Sequence, residues 1–219
     1  GTWLAVFDNS GDLAGSISQR PDLMPILSIL EEHGDEIIEN CDSVILEVDI
    51  DKEIVKKVVQ LCEKYDKKLY GVVSNMSIAV ERRDFLKSFD CFICNQLEAG
   101  IFFADDYSEK TPQELCDILT ERLKVAKIPS MIVTMGAQGS VYADDQGHCG
   151  YCPVQKVTVK DTTGAGDAFC AGAASALTYG KTLAEAVEIG TRLSASVITS
   201  SENVCPRFQP EEFGINAER

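Results

Sequence analysis

The run DTTGAGD at residues 161–167 has the residue types and the spacing of a loop that binds an anion. Its small residues Gly164, Ala165 and Gly166 stand just before an apolar stretch at helical spacing. Small residues at the start of a helix leave successive backbone N–H groups unpaired, and the helix dipole adds partial positive charge there. We therefore expect these main-chain amides to hold an anion such as a phosphate group.

Asp167 closes this run, and its carboxylate has two interpretations. An acid in the first turn of a helix is stabilised by the helix dipole, so Gly164 and Gly166 could form only a tight turn before an ordinary helix-start acid. A carboxylate beside an anion site is also placed to accept a proton from an attacking hydroxyl. The full seven-residue run is more specific than a bare GxGD motif and favours the second interpretation.

Asn95 and Glu98 follow an apolar, strand-like run and form a second candidate site. Their side-chain oxygens suit Mg²⁺, which keeps several waters and needs few protein ligands. The same spacing is also a plain helix-capping pattern. The pair alone leaves both interpretations open.

Thr134, Gly136 and Gly139 form a third candidate site within the run TMGAQG. Glycines at these positions would let the backbone approach a ligand closely. A bare turn between two strands would use the same residues without any function.

In this order, the three runs resemble the motifs of the PfkB, or ribokinase-like, family of carbohydrate and nucleoside kinases. The family's D-T-x-G-A-G-D string is matched at every fixed position by residues 161–167. The runs at 95–98 and 134–139 are similar to its N-x-x-E and T-x-G-x-x-G strings. The resemblance implies a ribokinase-like α/β fold and an ATP-dependent phosphotransferase that acts on a small sugar or nucleoside.

The same resemblance implies a role for each candidate residue. The amides of Gly164, Ala165 and Gly166 would form an anion hole for the transferring γ-phosphoryl group. Asp167 would be the catalytic base. The other implied roles are Mg²⁺ organisation by Asn95 and Glu98, ATP contacts by Thr134, Gly136 and Gly139, and binding of a monovalent cation such as K⁺ by Asp161 and Thr163.

Within the family, the resemblance is strongest to the members that phosphorylate pseudouridine. The opening run 1–6, the strand end 73–75 and the tail 202–206 carry it. Cys94 departs from the family pattern, which often has a proline there, and the pair 71–72 stands where Asp-Pro is expected. Pseudouridine, converted to its 5′-phosphate, is the leading substrate. Ribose, adenosine or fructose phosphate, or a non-catalytic nucleotide-binding module, are the alternatives.

The family's first strand, with its G-D or G-E pair, and its Gly-Gly-Asn stretch have no counterpart in this sequence. These elements recognise the sugar in the family. We therefore expect the chain to be the later part of a family member, without the first βα units and most of the lid. Because orientation of the acceptor supplies ~7–11 kcal/mol of such a barrier, we expect weak or no kinase activity from this chain alone.

Alternating helices and strands must position these residues. Helical spacing and caps predict helices at residues 26–40, 52–65, 78–89, 111–126, 168–179 and 183–199, the fourth with a capping box at Thr111 and Glu114. Apolar runs predict strands at residues 43–48, 68–73, 90–94, 130–134, 140–143 and 155–159, the last two antiparallel. This order predicts a mostly parallel central sheet with helices on both faces.

A hairpin is predicted at the start of the chain, where runs 3–7 and 13–18 flank the turn-forming cluster 8–12. A lone hairpin is marginal in water, so it must lie on another surface. We interpret residues 1–20 as the remnant of a lid, through which a homodimer forms. Residues 21–219 are interpreted as one α/β domain with an ATP half-site.

Composition restricts the partners. The 219 residues carry a net charge of −15, which repels a polyanion and makes nucleic acid an unexpected partner. No apolar run approaches the ~20 residues that span a bilayer, so we expect no membrane partner. Nine cysteines are an odd number and fit a reducing compartment, so we expect a cytoplasmic protein.

Two CxxC pairs in the sequence are candidate metal or redox sites. Cys91 and Cys94 lie in a strand-like run, where residues three apart point to opposite faces and cannot share one metal. Cys149 and Cys152 are predicted in a turn beside His148, where zinc binding stays an alternative.

Overall fold

The computed structural model of the protein describes residues 1–7, 13–201, 204–205 and 209–215. The predicted turn at 8–12 lies outside these ranges, and so do residues 202–203 and 206 of the tail that carried part of the family resemblance. The described strands form a two-stranded sheet and a six-stranded sheet.

The six-stranded sheet is mostly parallel, as predicted. The strands are β1 Thr2–Phe7, β2 Leu13–Gln19, β3 Ser43–Glu47, β4 Lys68–Val72, β5 Cys91–Asn95, β6 Ser130–Thr134, β7 Ser140–Asp144 and β8 Cys149–Cys152. The larger sheet has the order β3-β4-β5-β6-β7-β8. Strands β3 to β6 run parallel, and β7 and β8 are added antiparallel.

Helices cover both faces of this sheet. They are α1 Met24–Glu39, α2 Lys52–Lys64, α3 Met76–Ala79, α4 Arg83–Leu86, α5 Gln96–Phe103, α6 Pro112–Ala126, α7 Ala165–Thr178 and α8 Leu183–Ile198. Short 3₁₀ turns occur at Val80–Arg82, Gly136–Gln138 and Pro210–Phe213.

The apolar core is divided by the sheet into two clusters. One cluster joins the sheet to α1, α2 and α6, and the other joins it to α7 and α8. Strand β5 contributes to both, because its side chains alternate between faces: Phe92 and Cys94 belong to the first cluster, Cys91 and Ile93 to the second. Cys91 and Cys94 are therefore buried on opposite sides of the sheet, as the sequence predicted.

The start of α6 confirms the predicted capping box. The Glu114 amide donates to Thr111 Oγ1 at 3.3 Å, and the Thr111 amide donates to Glu114 Oε2 at 2.9 Å. Two backbone donors at the helix start, where no intrahelical acceptor exists, are thereby satisfied.

The last strand lies at Cys149–Cys152, and the prediction of a strand at residues 155–159 is wrong. All five side chains of 155–159 are exposed. Cys149 to Cys152 pair instead with Ser140 to Ala143 of β7. Asp144 fixes this register, because its Oδ1 accepts the amides of Gln146 and His148 and so makes the turn between β7 and β8 tight.

The helix predicted at 78–89 is broken. It starts earlier, at Met76, and changes to a 3₁₀ turn at Val80 before α4. A 3₁₀ turn has about three residues per turn, so it rotates the side chains that follow it. Leu86 and Phe89 are completely buried behind this turn, and a continuous helix would present them at different angles to the sheet.

The predicted hairpin is present as the antiparallel pair β1 and β2, which we call the hairpin. Every described side chain of the hairpin is exposed except Ala5, which is half-buried. In the described part of the chain, no helix has the length and apolar character needed to cross a membrane.

Candidate active site

The carboxyl ends of the four parallel strands meet at one edge of the sheet, and a cavity of about 280 Å³ opens there. In open parallel sheets this edge is where ligands bind. We call it the polar cavity. It is lined by Ile45, Glu47, Val72, Val73, Ser74, Ile93, Cys94, Asn95, Glu98, Thr134, Gly166, Asp167, Cys170 and Ala171. Residues from all three candidate runs therefore contribute to one cavity.

The start of α7 supplies the open main chain of this cavity. Gly164 is the N-cap in a left-handed conformation, with φ 79° and ψ 0°, which glycine adopts without steric cost. A Cβ atom built on Gly166 would meet no atom within 4 Å, so there is open space above this residue. Within the described residues, the amides of Gly166 and Asp167 have no hydrogen-bond acceptor.

The amide of Ala165 differs from these neighbours. It donates to the carbonyl oxygen of Thr162 at 3.1 Å. Of the three amides predicted to form an anion hole, this one is therefore already bonded, while Gly164 and Gly166 have no acceptor among the described residues. Asp167, next along the helix, adds a further amide for which the described residues offer no acceptor, and the sequence did not predict its role.

Asp167 stands between two cavities. It lines the polar cavity and also a neighbouring cavity of about 360 Å³, which we call the apolar cavity. The apolar cavity is lined by Asp167, Ala168, Ala171, Ser175, Leu193, Val204 and Cys205. The Asp167 side chain is exposed, so its carboxylate can be reached by a ligand that extends from one cavity to the other.

Asn95 and Glu98 lie in the polar cavity and also form a capping box. The Asn95 amide donates to Glu98 Oε2 at 2.7 Å, and the Glu98 amide donates to Asn95 Oδ1 at 2.8 Å. The capping interpretation is thus confirmed, and magnesium binding by this pair stays a prediction. Burial is the main cause that raises the pKa of Glu98, and the charge of Asp49 adds to it. A cation near Glu98 would oppose both effects.

The third candidate run is only partly at the cavity. Thr134 ends β6 and lines the polar cavity, whereas Gly136 and Gly139 do not. Gly139 has φ 98° and is packed against the backbone of Cys152 and Pro153, so a side chain there would clash. Gly136 has φ 54° and open space around it. Gly139 thus has a clear packing role, and Gly136 is accessible.

Asp161 and Thr163 lie next to each other outside the polar cavity. The Thr163 amide donates to Asp161 Oδ1 at 2.8 Å, and this hydrogen bond is the main cause that lowers the pKa of Asp161. Both side chains are exposed. The geometry is that of an Asx turn leading into α7.

Glu47 and Asp49 are site residues that sequence reasoning missed. Glu47 ends β3 and lines the polar cavity, and Asp49 is buried just behind it, at 2% exposure. Burial, followed by the bond to Asp49, raises the pKa of Glu47. Burial opposes ionisation of Asp49 too, but bonds to Glu47 and Arg20 outweigh it and lower the pKa of Asp49. The pKa of Glu47 is therefore shifted upward and the pKa of Asp49 downward.

The second CxxC pair lies on a strand and not in the predicted turn. Cys149 and Cys152 are the ends of β8, so their side chains point to opposite faces. His148 Nδ1 lies 2.8 Å from Asp144 Oδ2. Among the residues the structure describes, no three His, Cys, Asp or Glu side chains are grouped so that they could hold a metal ion.

Residues 20–206 match the pfkB family carbohydrate kinase. This match covers most of the chain and includes every candidate run. The chain belongs to the pfkB family of carbohydrate kinases. The family resemblance drawn from the three runs is thereby confirmed.

Two pfkB family relatives act on nucleosides, according to their names. A guanosine-inosine kinase of Exiguobacterium acetylicum is 35% identical over 207 residues, which are 93% of this chain and 66% of that protein. A pseudouridine kinase of Escherichia coli (strain K12) is 25% identical over 209 residues, which are 90% of this chain and 62% of that protein. The chain thus spans 62 to 66% of the length of these relatives.

A solved structure shares the pfkB fold seen here. The structure of Arabidopsis thaliana ribokinase complexed with ribose and ATP has a TM-score of 0.69 and 21% identity, over 78% of this chain and 54% of that chain. The ribokinase-like α/β fold predicted from the sequence is therefore confirmed.

The positions that the sequence analysis missed carry a weak local signal. Glu47 and Asp49 follow directly on an apolar strand run, at the same kind of strand end as Asn95 and Thr134. Parallel strands bring their carboxyl ends to one edge, so acids at these ends are candidates for the site. Ser74 follows β4 at the equivalent place and lines the same cavity.

Proposed function

We propose that this chain carries the ATP side of a kinase that transfers the γ-phosphoryl group of ATP to a primary hydroxyl of a nucleoside. One observation supports this above the others. The polar cavity joins the open start of α7, including Gly166 and Asp167, to Asn95, Glu98 and Thr134. Phosphoryl transfer needs an anion-binding surface, a cation site and a proton acceptor within one ligand's reach.

The proposed anion hole consists of main-chain amides at the start of α7. The unbonded amides of Gly164, Gly166 and Asp167 donate to the γ-phosphate oxygens, and the helix dipole adds to their attraction. The Ala165 amide can donate to the phosphate only if its hydrogen bond to the Thr162 carbonyl oxygen breaks. Asp167 accepts the proton of the attacking hydroxyl, because its exposed carboxylate directly follows these amides along the chain and Asp167 lines both cavities.

Glu98 and Asn95 are the residues that would hold Mg²⁺. Oxygen donors fit this ion, and a bound cation would oppose the burial and the Asp49 charge that raise the pKa of Glu98. Because one oxygen of each side chain is used in the capping box, contact through water fits better than direct ligation. Bound Mg²⁺ would neutralise phosphate charge. A monovalent cation such as K⁺ would lie at Asp161 and Thr163.

ATP would lie across both cavities. Thr134 and the accessible Gly136 would contact its phosphates, with Gly139 holding the turn in shape. The apolar cavity on the other side of Asp167 suits a flat base, since carbon-rich residues line it.

Guanosine and inosine are the nucleosides we propose first, because the relative named for them is 35% identical to this chain. Pseudouridine is the second candidate, supported by its kinase at 25% identity and by the sequence features described above. Ribose, adenosine and fructose phosphate are weaker alternatives.

We also propose a cytoplasmic location and a homodimer. No disulfide joins the cysteines within the described ranges, which fits a reducing compartment. The hairpin exposes the apolar side chains Trp3, Leu4, Val6 and Ile17, and such a surface is suited to pair with a second copy.

The test has two steps. Calorimetric titration of the chain with ATP should detect binding that weakens when EDTA removes Mg²⁺. A version extended to the length of the relatives is then assayed with labelled ATP against guanosine, inosine, pseudouridine, ribose, adenosine and fructose phosphate. Transfer to a nucleoside supports the proposal. ATP binding without transfer to any acceptor favours a non-catalytic nucleotide-binding module, and absence of ATP binding in both versions contradicts the proposal.

A further inference from the structure

Arg20 joins the base of the hairpin to the central sheet. It directly follows β2. Its guanidinium donates two hydrogen bonds to Asp49, which lies just after β3: Nη1 donates to the Asp49 carbonyl oxygen at 2.6 Å, and Nη2 donates to Asp49 Oδ2 at 2.8 Å. Asp49 is 2% exposed. A planar guanidinium that donates to both the main chain and the buried carboxylate of one residue fixes direction as well as distance.

Asp49 links Arg20 to Glu47, which lines the polar cavity. Two buried carboxyl oxygens have no donor within the described part of the chain: Asp49 Oδ1 and, on the cavity-lining Glu47, Oε1. A bond between the two carboxyl groups accounts for both if the Glu47 carboxyl holds the proton and donates it to Asp49. The Arg20 cation at the other carboxyl oxygen of Asp49, Oδ2, favours that arrangement.

Within the described part of this chain, the hairpin has few other contacts that hold it. Nearly all its described side chains are exposed, and a two-stranded hairpin is marginal by itself. Its orientation therefore depends strongly on the contact at its base, which leads through Asp49 to Glu47.

We propose that Arg20 and Asp49 form a latch that fixes the hairpin to the end of β3 and orients the Glu47 carboxyl group in the polar cavity. Both are positioning residues, since neither lines the cavity. Loss of the latch would loosen the hairpin and, in the same step, weaken nucleotide binding. The second effect rests on the proposed function, whereas the first does not.

The chain offers a direct probe. Its single tryptophan, Trp3, lies on the hairpin, so the fluorescence anisotropy of the protein reports hairpin motion. The test compares Arg20→Met with Lys64→Met. The control removes the same charge and breaks an ion pair between two exposed side chains, Lys64 on α2 and Asp35 at 2.6 Å.

We expect Arg20→Met, and not Lys64→Met, to lower the Trp3 anisotropy without nucleotide. Calorimetry should show Mg²⁺-ATP binding weakened roughly tenfold in Arg20→Met, within the usual range of coupling between sites, with partial recovery in Arg20→Lys. Asp49→Asn should change both measurements in the same direction as Arg20→Met.

Equal Trp3 anisotropy in Arg20→Met and Lys64→Met would overturn the proposal that Arg20 and Asp49 fix the hairpin. A lower anisotropy of Arg20→Met with unchanged nucleotide affinity would overturn the proposal that the latch orients Glu47 for nucleotide binding. If the unaltered chain binds no nucleotide, the proposed function fails, and the anisotropy comparison still decides whether the hairpin is latched.

Discussion

At the scale of single residues, Asp167 has the most specific role. We expect Asp167→Asn to lower the phosphoryl-transfer rate by roughly 100-fold to 10,000-fold, the usual contribution of a general base. ATP affinity should stay nearly constant, because the amides of α7 remain in place. The rate is measured in the extended version by transfer of labelled phosphate, and the affinity by calorimetry.

Glu121→Gln is the matched control for Asp167, since Glu121 is an exposed acid on α6, which packs on the opposite face of the sheet from α7. A variant Asp167→Asn that loses ATP binding but transfers phosphate normally would contradict the role of base.

Glu47 gives a prediction about pH. Its pKa in the folded state is raised above the ordinary value of 4.5, mainly by burial. An acid whose pKa is raised by folding does not reduce stability at low pH, where it is protonated in both the folded and the unfolded protein. It reduces stability most once the pH exceeds its pKa in the folded protein. We expect Glu47→Gln, which stays neutral and can donate to Asp49, to raise the melting temperature more at pH 8 than at pH 4. Thermal unfolding at the two pH values measures this, and an equal shift of the melting temperature at both would contradict a raised pKa of Glu47.

At the scale of elements, α7 is held in position by close packing against α8. A Cβ atom on Gly190 would lie 2.8 Å from the Phe169 carbonyl oxygen, which is backbone and cannot move aside. We expect Gly190→Ala to push the two helices apart and destabilise the fold by about 1–3 kcal/mol, the usual cost of overpacking. Denaturant unfolding measures it.

Gly15→Ala is the control for this change, because a Cβ atom there meets nothing within 4 Å. The packing explanation fails if Gly190→Ala is as stable as Gly15→Ala.

The sequence predicted long elements better than short ones. Helical spacing located α2 and α6 because an amphipathic stripe extends over several turns in each. The sequence predicts the last strand at residues 155–159, later than the observed β8. The register of β8 depends on hydrogen bonds that Asp144 accepts in the preceding turn, and not on the strand's own apolar pattern. The break before α4 follows from burial of Leu86 and Phe89, which one sequence does not reveal.

The candidate site was predictable where a motif is continuous in sequence. Residues 164–167 and the pair Asn95 and Glu98 were found in this way. Glu47 and Asp49 were not, since their relation to the site exists only after parallel pairing brings β3 beside β4. The bond from the Ala165 amide to Thr162 is likewise a detail of backbone conformation that residue types do not specify.

At the scale of the whole molecule, the hairpin presents an apolar surface. Ile17 is 72% exposed and lies opposite Leu4 in the register. We expect Ile17→Asp to convert a dimer to a monomer in light-scattering measurements, because a buried unpaired charge is costly at an interface. Val125→Asp, at a site 85% exposed on α6, is the control and should leave the dimer intact. A dimer that survives Ile17→Asp would exclude the hairpin as its interface.

The position of the nucleotide's last phosphate decides the mechanism most directly. A crystal structure of the chain with Mg²⁺ and a non-hydrolysable ATP analogue would measure it. We expect the terminal phosphate within hydrogen-bond distance of the Gly166 amide, with the Asp167 carboxylate beside it. A terminal phosphate bound away from the start of α7, with these amides still free, would contradict the assignment.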